Sequence, residues 1–291
     1  MTRIAFIGLG AMGLPMARNL LAAGHELVAV DSDSGRIELL GAPAARSPAD
    51  AAAATEVALL SLPSPAAVED VVLGRHGLRA GAPADFAVID MSTGSPVLAR
   101  RLAAELAEAG VESLDAPVSG GPRGAEAASL TIMVGGRHET FERWRPLLEH
   151  LGRLVVRVGE AGAGQAAKLC NNLVAGATMA ALAEACGLAV REGVDPAVLY
   201  DLLTGSTADS RVLRTRFPIG GVDVEHPASN GYERLFALDL MGKDLDLALE
   251  LGAAQGVDLP VARASRASYR KAQEQGLGHL DYSAVYAARH P

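Results

Sequence analysis

The hydrophobic pattern of this chain changes near residue 163, and that change constrains the fold more than any other feature of the sequence. Before it, short apolar runs alternate with segments of helical periodicity, which is the pattern of strands joined by helices. The predicted strands cover residues 4–7, 26–30, 57–62, 86–91, 113–116, 131–134 and 154–158. Such an alternation predicts βαβ units packed around a mainly parallel sheet.

Beyond residue 163 no strand pattern remains, and the sequence predicts helices only. Gly159, Gly162 and Gly164 form a glycine-rich joint. The next segment is nearly all Ala, Leu, Val and Met, and a helix that is apolar on most sides is expected to be buried. The predicted helices cover residues 165–191, 196–204, 235–255 and 261–275. We therefore expect an α/β domain over residues 1–163 and an all-helical domain over residues 164–291.

The length and composition exclude several classes of protein. A chain of 291 residues is long enough for two ordinary domains. The formal net charge of −8 is a poor fit to sequence-independent nucleic-acid binding, because that function needs clustered cations. Two cysteines are too few for a disulfide framework, which favours a reducing, cytoplasmic setting. No run of about 18 apolar residues is found, so no membrane-spanning helix is expected, and the histidine spacing predicts no metal site.

A glycine-rich loop joins the first predicted strand to a helix predicted over residues 12–23. Its sequence fits the G-x-G-x-x-G pattern, and its place between a strand and a helix is the one that dinucleotide binding requires. The first glycine permits a tight turn, the second lets backbone N–H groups approach a pyrophosphate, and the third lets helix and strand pack closely. The sequence therefore predicts a Rossmann-type, doubly wound domain. Its predicted cofactor-binding loop consists of Gly8, Leu9, Gly10, Ala11, Met12 and Gly13.

Asp31 ends the second predicted strand, 18 residues after Gly13. An acid near this position hydrogen-bonds the adenosine ribose hydroxyls in dinucleotide-binding folds, and its charge disfavours the 2′-phosphate of NADP. NAD is therefore the expected cofactor, with NADP as the alternative. The structural alternative is that Asp31 is an ordinary aspartate in a turn over residues 31–34.

Four segments, in this order along the chain, carry a resemblance to a known family. They are Gly8–Ala17 (GLGAMGLPMA), Asp115–Gly121 (DAPVSGG), Gly162–Asn172 (GAGQAAKLCNN) and Lys243–Leu245 (KDL). With these motifs the chain resembles the β-hydroxyacid dehydrogenase family, and within it the subgroup of 3-hydroxyisobutyrate dehydrogenases. The resemblance covers essentially the whole chain and implies a Rossmann domain followed by a helical domain.

The resemblance also implies an activity, an assembly and partners. The activity is NAD-dependent oxidation of a short 3-hydroxyacid to its semialdehyde, or the reverse reduction, with a place in valine catabolism. The assembly is a homodimer or homotetramer formed through the helical domain. The expected partner is a small carboxylate substrate, and neither nucleic acid nor a membrane is expected.

The same resemblance implies roles for individual residues. Lys168 would be the catalytic residue, and Asn172 would help to position the substrate beside it. Lys243 would reach the cofactor from the helical domain. The substrate carboxylate would be held by Ser119, Gly120 and Gly121, and the nicotinamide side of the cofactor cleft would be lined by Leu62, Pro63 and Thr93.

A lysine at position 168 also has a chemical reason that does not depend on the resemblance. Only three of the 26 basic residues are lysine, so a lysine can mark a place where arginine does not serve. Oxidation of an alcohol needs a group that takes the hydroxyl proton, and a lysine whose pKa is lowered toward neutrality can do this, whereas arginine cannot. Lys168 and Asn172 are four residues apart and share a helix face, whereas Asn171 is expected to serve packing or carboxylate binding. The structural alternative is a lysine that extends to solvent beside two asparagines that weaken the helix.

Three other predicted site segments also have structural alternatives. Free N–H groups and a hydroxyl in the Ser119–Gly121 turn would form a small anion site, or the segment is a plain strand-end turn. Thr93 lies just beyond the carboxyl end of a strand, where α/β sheets bind ligands, or it simply begins a helix. Lys243 has Asp244, Asp246 and Glu250 nearby, so a solvated charged face is its alternative.

One segment departs from the pattern of the 3-hydroxyisobutyrate dehydrogenases. That subgroup tends to have a Ser-Ser-Gly-rich stretch with an aromatic residue, whereas this chain has Thr204–Leu213, with Arg211 near the aromatic position. A guanidinium there can bind a second carboxylate. Arg211 is therefore predicted to contact substrate, and tartronate semialdehyde and other small semialdehyde acids stay open as substrates.

Two further functions are alternatives to a hydroxyacid dehydrogenase. Imine reductases of the same architecture tend to lack a lysine at the position of Lys168, so the lysine here disfavours that function. A nucleotide-binding module without turnover is disfavoured by the acidic net charge and by the Lys168–Asn172 pair.

Overall fold

The computed structural model describes residues 1–290, and they form two compact units. The first extends from Met1 to Lys168, and the second begins at Leu169. The division lies inside a long helix, Ala163–Arg191, which starts where the change of pattern was located in the sequence. Each unit has its own hydrophobic core.

The first unit, all of which lies within the described residues, is built on a single sheet. Its strands are β1 (Arg3–Ile7), β2 (Glu26–Val30), β3 (Val57–Leu60), β4 (Ala87–Asp90), β5 (Glu112–Asp115), β6 (Val118–Ser119), β7 (Leu130–Gly135) and β8 (Gly152–Gly159). The order is β2-β1-β3-β4-β5-β7-β6, and β8 pairs with β7. Strands β1 to β5 are parallel, whereas β7 runs antiparallel to β5 and β6. Every strand predicted from the sequence is present, and only the two-residue β6 is too short to show a periodicity.

Helices cover both faces of this sheet, so the domain is doubly wound, as predicted. Side chains alternate along each strand, and Phe6 therefore packs into one buried cluster while its neighbour Ile7 packs into the other. The helices of this unit are α1 (Gly13–Ala22), α2 (Ser34–Leu40), α3 (Pro48–Ala53), α4 (Pro65–Leu73), α5 (Leu78–Gly81), α6 (Pro96–Glu108), α7 (Gly121–Glu126) and α8 (His138–Leu148). The parallel arrangement brings the carboxyl ends of β1, β3, β4 and β5 to one edge of the sheet.

The second unit contains helices and no named strand among its described residues, as the sequence predicts. Its helices are α9 (Ala163–Arg191), which begins in the first unit, α10 (Pro196–Thr204), α11 (Arg211–Thr215), α12 (Leu238–Ala254) and α13 (Pro260–Glu274), with short 3-10 helices at Pro227–Asn230, Leu277–His279 and Tyr282–Val285. Met179 of α9, Met241 and Leu245 of α12 and Tyr269 of α13 form the centre of its core. The Tyr269 hydroxyl donates to the carbonyl of Gly176, 3.1 Å away, and so ties α13 to α9.

Helix α9 differs from the sequence expectation in two ways. Only 39% of its most apolar 18-residue window is buried, and Val174 and Leu188 are 63% and 66% exposed, so the expectation of burial on most sides is wrong. By length and composition alone the helix is apolar enough to cross a membrane, contrary to the expectation that no segment would be. Core helices of soluble proteins meet the same criterion, and α9 contributes Met179 and Cys186 to buried clusters.

His25, just before β2, makes the stability of the first unit depend on pH. Burial lowers the pKa of His25, and the nearby His150 ring and the N-terminal amine lower it further. The backbone N–H of Thr2 donates to Nδ1 of His25 at 3.3 Å, and a doubly protonated ring cannot accept that bond.

We therefore expect His25→Gln to flatten the acid side of the stability profile. Because the folded pKa is lowered, the unfolded chain binds a proton first as the pH falls below about 6.5, and the His25 contribution to stability is lost over that range. The measurement is the melting temperature between about pH 7 and pH 5. His138→Gln, at an exposed histidine, is the control. Equal slopes in His25→Gln and the unmodified chain would contradict the prediction.

Candidate functional site

The loop between β1 and α1 has glycines at the positions where the backbone leaves no room for a side chain. Gly8 has a φ of 91°, and its N–H donates to the carbonyl of Val30 at 2.9 Å. A Cβ on Gly8 would overlap the carbonyl oxygen of Ser61, and one on Gly13 would overlap the carbonyl oxygen of Gly8. Gly10, in contrast, faces open space. The loop is thus packed against backbone atoms at Gly8 and Gly13 and is open to a ligand at Gly10.

The open side of this loop presents backbone donors without acceptors. Within residues 1–290, the N–H groups of Gly10, Ala11, Met12 and Gly13 have no hydrogen-bond acceptor. Helix α1 has no side-chain cap and no acid in its first turn, so its positive end is not neutralised from within the chain. A cleft of about 540 Å³ opens beside Gly10 and Ala11. These features fit the pyrophosphate of a dinucleotide.

Asp31 follows β2 and lies beside the same loop. Its Oδ2 accepts the N–H of Leu9 at 2.6 Å, and its Oδ1 accepts the N–H of Asp33 at 2.8 Å. Nη1 of Arg36 lies 3.6 Å from Oδ1. The Asp31 carboxylate therefore has a fixed orientation next to the glycine loop. The Arg36 guanidinium lies beside this carboxylate.

The carboxyl ends of β3 and β4 bring together the residues predicted for the nicotinamide side. The N–H of Leu62 donates to Oγ of Ser92 at 2.9 Å, and the N–H of Ser92 donates to Oδ1 of Asp90 at 2.9 Å. Thr93 comes next and is half-buried, whereas Pro63 is exposed beside Leu62. Leu62 and Thr93 are thus joined through Ser92, a residue that no sequence motif indicates.

The segment from Ser119 to Gly121 forms a turn between β6 and α7. Gly120 has a φ of 140° and Gly121 a φ of 64°, a backbone conformation that residues with a Cβ rarely adopt. Within the described residues the Ser119 hydroxyl and the N–H groups of the two glycines have no side-chain or turn partner. Two adjacent donors and a hydroxyl fit a small anion such as a carboxylate.

Lys168 lies on α9, five residues after its start at Ala163, and only 5% of the residue is exposed. The expected alternative, a side chain extending to solvent from a helix end, does not agree with this burial. Asp115 and Gln165, both buried, hold the start of the helix. Neither was selected from the sequence, because their partners are 47 to 73 residues away along the chain.

In the second unit, the side chain of Asn172 is held by Asp244, whose neighbour Lys243 had a solvated charged face as its structural alternative. Nδ2 of Asn172 donates to Oδ2 of Asp244 at 2.6 Å, and its Oδ1 accepts from Nδ2 of Asn171 at 2.9 Å. Asp244 is 1% exposed, and its Oδ1 accepts no hydrogen bond, although Nζ of Lys243 lies 3.4 Å away. The solvated-face interpretation is therefore wrong for Asp244, which fixes the Asn172 amide instead. Asn171 itself is exposed.

Arg211 is the first residue of α11 and is exposed. Its neighbours Arg214 and Arg216 are paired with Asp209 and Asp281. Among the described residues, the Arg211 guanidinium has no ion pair or hydrogen bond. Of these three nearby arginines it is therefore the one whose charge is available to a ligand.

Two family descriptions match this chain, and together they span nearly all of it. The NAD binding domain of 6-phosphogluconate dehydrogenase matches residues 3–159. The family described as NAD-binding of NADP-dependent 3-hydroxyisobutyrate dehydrogenase matches residues 162–288. The first match covers the glycine loop and Asp31, and the second begins at the glycine joint before Lys168.

Three individual proteins are similar over almost their whole length. The chain is 42% identical to 3-hydroxyisobutyrate dehydrogenase of Pseudomonas aeruginosa, over 98% of this chain and 97% of that one. It is 41% identical to the NAD-dependent L-serine dehydrogenase of the same organism, again over 98% and 97%. The solved structure of Mycobacterium tuberculosis 3-hydroxyisobutyrate dehydrogenase with L-serine is 38% identical, with full coverage of both chains and a TM-score of 0.93.

Proposed function

Since the chain belongs to the β-hydroxyacid dehydrogenase family, we propose that it oxidises a short 3-hydroxyacid to its semialdehyde with NAD, or runs the reverse reduction, and that 3-hydroxyisobutyrate is its substrate. The observation that carries the proposal is the buried amine of Lys168, in the unit that also contains the open glycine loop. On this proposal the protein acts in valine catabolism, as a cytoplasmic enzyme.

The residues of this chain divide the reaction between them. NAD, when bound, supplies the hydride acceptor. The turn at Ser119–Gly121 holds the substrate carboxylate, which fixes the hydroxyl-bearing carbon at a constant distance from that anchor. As the C–H bond breaks, the Lys168 amine takes the hydroxyl proton, and the C–O bond becomes a carbonyl. In the second unit, Asp244 orients the amide of Asn172, the residue to which the family resemblance gives the positioning of substrate.

A substrate screen tests the proposed function directly. The purified chain is offered 3-hydroxyisobutyrate, L-serine and a hydroxyacid with two carboxylates, each with NAD and with NADP, while the absorbance of the reduced cofactor is followed. L-serine is included because it is itself a 3-hydroxyacid and because the two Pseudomonas aeruginosa relatives are almost equally similar. We expect the highest kcat/KM with 3-hydroxyisobutyrate and NAD. An absence of turnover with all three acids would refute the proposal.

Asp31 is expected to set the preference for NAD over NADP. Asp31→Ser removes the acceptor for the ribose hydroxyls and the charge that disfavours a 2′-phosphate, and it leaves Arg36 paired with Asp33 alone. Loss of a charged hydrogen bond costs about 1.5–3 kcal/mol, so kcat/KM for NAD should fall about 10- to 100-fold while that for NADP rises. Asp33→Ser, two residues away, is the control. A preference ratio that stays the same in Asp31→Ser would contradict the assignment.

Arg211 is expected to influence the charge of the preferred substrate. An unpaired guanidinium favours a substrate that carries a second carboxylate. Arg211→Ala should lower kcat/KM for two-carboxylate substrates by about tenfold relative to 3-hydroxyisobutyrate, the loss expected when a charged contact is removed. Arg214→Ala, at an arginine that is already paired with Asp209, serves as the control. If the ranking of the substrates is unchanged in Arg211→Ala, the residue does not contact substrate.

The other functions are disfavoured by the same site. An imine reductase would not need the buried amine of Lys168, and a non-catalytic nucleotide-binding module would not need Asn172 to be held by a buried carboxylate. Helix α9 leaves Val174 and Leu188 exposed, which supports the proposed homodimer or homotetramer through the helical domain. Light scattering of the purified protein measures that assembly.

A further inference from the structure

A buried polar network in the first unit attaches the start of α9 to the ends of β4 and β5. From it we infer that Asp115 and Gln165 are positioning residues, which keep Lys168 at a fixed distance from Thr93 during catalysis. The inference rests on the proposed function, because it assigns a purpose to the position of Lys168. Neither residue is assigned a role by the family resemblance or by the sequence pattern.

Asp115, the last residue of β5, caps α9 from outside the helix. The first N–H groups of any helix lack partners within it. Here Oδ1 of Asp115 accepts the N–H of Gly162 at 2.7 Å, and Oδ2 accepts the N–H of Gln165 at 2.8 Å. The helix is therefore attached to the sheet at its first turn, rather than capped by a neighbouring residue of its own segment.

The Asp115 carboxylate has no room to move. A Cβ on Gly135 would lie 2.5 Å from Oδ1, and one on Gly164 would lie 2.8 Å from Oδ2, so the two glycines form walls around the carboxylate. Burial raises the pKa of Asp115, while the N–H groups of Gly162 and Gln165 act in the opposite direction by binding the charged form. A charged acceptor in a closed slot holds its donors more rigidly than a solvated cap does.

Gln165 makes the second attachment, to the loop that contains Thr93. Its Oε1 accepts the N–H of Gly94 at 2.8 Å, and its Nε2 donates to the carbonyl of Ser92 at 2.8 Å. Ser92 and Gly94 are the two neighbours of Thr93, so one buried amide fixes the backbone on both sides of that residue. The Oγ of Ser92 in turn accepts the N–H of Leu62. The network thus connects Leu62 and Thr93, which are assigned to the cofactor cleft, with the helix that carries Lys168.

This arrangement links the position of the proton acceptor to that of the cofactor cleft. Lys168 lies three residues after Gln165, within one turn of the same helix, so a shift of the first turn moves its side chain. Misplacement of a reacting group by about 1 Å can cost on the order of 100-fold in rate. A network that served only folding would also be buried and satisfied, and the two purposes are separated by measurements that stability alone does not change.

The test is Gln165→Met, which keeps the length of the side chain and removes both of its hydrogen bonds. We expect kcat for 3-hydroxyisobutyrate oxidation to fall by about tenfold or more, and KM to change by less than about twofold. The primary deuterium isotope effect on kcat should rise, because hydride transfer becomes slower than the other steps. Amide hydrogen exchange over residues 162–168 should become faster. Gln165→Glu, which keeps the acceptor for Gly94, should give intermediate values and replaces Gln165→Met if that variant does not fold.

Gln273→Met is the matched control. The Gln273 amide also uses both ends, with Arg266 donating to it and Asp239 accepting from it, but it lies on α13 in the second unit. It should change neither kcat nor the isotope effect. If amide hydrogen exchange becomes faster in Gln165→Met while kcat is unchanged, the positioning role is overturned. Unchanged hydrogen exchange at residues 162–168 would overturn it as well. If the unmodified chain oxidises no 3-hydroxyacid, the proposed function fails, and the exchange measurement alone still decides whether Gln165 holds the first turn.

Discussion

Lys168→Ala should reduce turnover by about 100- to 10,000-fold while leaving NAD binding almost unchanged. General acid–base catalysis contributes a factor of this size when the group is correctly placed. Lys168 is buried on α9, whereas the glycine loop and Asp31, which are assigned to the cofactor, follow β1 and β2 and do not depend on it. The measurements are kcat from the absorbance of the reduced cofactor and the dissociation constant of NAD from calorimetric titration.

Two further variants sharpen the Lys168 result. Lys168→Arg keeps a positive charge but cannot release a proton at neutral pH, so it should be almost as inactive as Lys168→Ala. Lys271→Ala removes an exposed lysine from α13 and should be fully active. Oxidation rates within about twofold of the unmodified chain in Lys168→Ala would show that another group takes the proton.

Asp281→Ala should be the most destabilising single substitution among those discussed, at about 3–5 kcal/mol, because it removes one partner of a buried ion pair. Asp281 is 0% exposed. Its Oδ2 accepts the N–H of Phe236 at 3.0 Å and pairs with Nε of Arg216 at 3.4 Å, while its Oδ1 accepts both the N–H and the hydroxyl of Ser283. The substitution leaves a largely buried guanidinium and several N–H groups without an acceptor.

Urea unfolding and calorimetry measure the effect of Asp281→Ala on the second unit. Asp281→Asn, which keeps the shape and part of the acceptor capacity, should lie between Asp281→Ala and the unmodified chain. Asp258→Ala removes the partner of Arg263 in a solvent-exposed ion pair, and it should cost no more than about 1 kcal/mol. Equal losses in Asp281→Ala and Asp258→Ala would contradict the assignment of Asp281 as the buried anchor of this segment.

The parts of the site that were predicted from the sequence are those made by residues close together along the chain. The glycine loop and Asp31 are separated by one helix and one strand, and the spacing of a βαβ unit places them together. The resemblance selected Lys168, and burial of that residue in the structure agrees with its proposed chemistry. The roles of Asp115 and Gln165 could not be predicted from the sequence, because their hydrogen-bond partners are distant along the chain and no local motif indicates them.

The wrong expectation for α9 and the failure of the solvated-face alternative at Asp244 have the same physical origin. Asp244 stands among charged residues, which predicts solvation, yet it is buried against Asn172, 72 positions away. Helix α9 consists of small apolar residues on most sides, which predicts burial, yet residues such as Val174 are exposed. In both cases the local composition favours one degree of solvent exposure, whereas the packing of distant segments determines the exposure that the residue actually has.

The sequence by itself determined the order of strands and helices and the family, and it supplied the proposals for the cofactor loop and for the lysine, because periodicity, turn residues and short motifs act over a few residues. Only the tertiary structure decided how that lysine is held. The ends of β4 and β5 and the first turn of α9 meet through buried hydrogen bonds, and the donors and acceptors of those bonds become neighbours only when the sheet forms. Buried polar groups must find partners, and folding determines which ones are within reach.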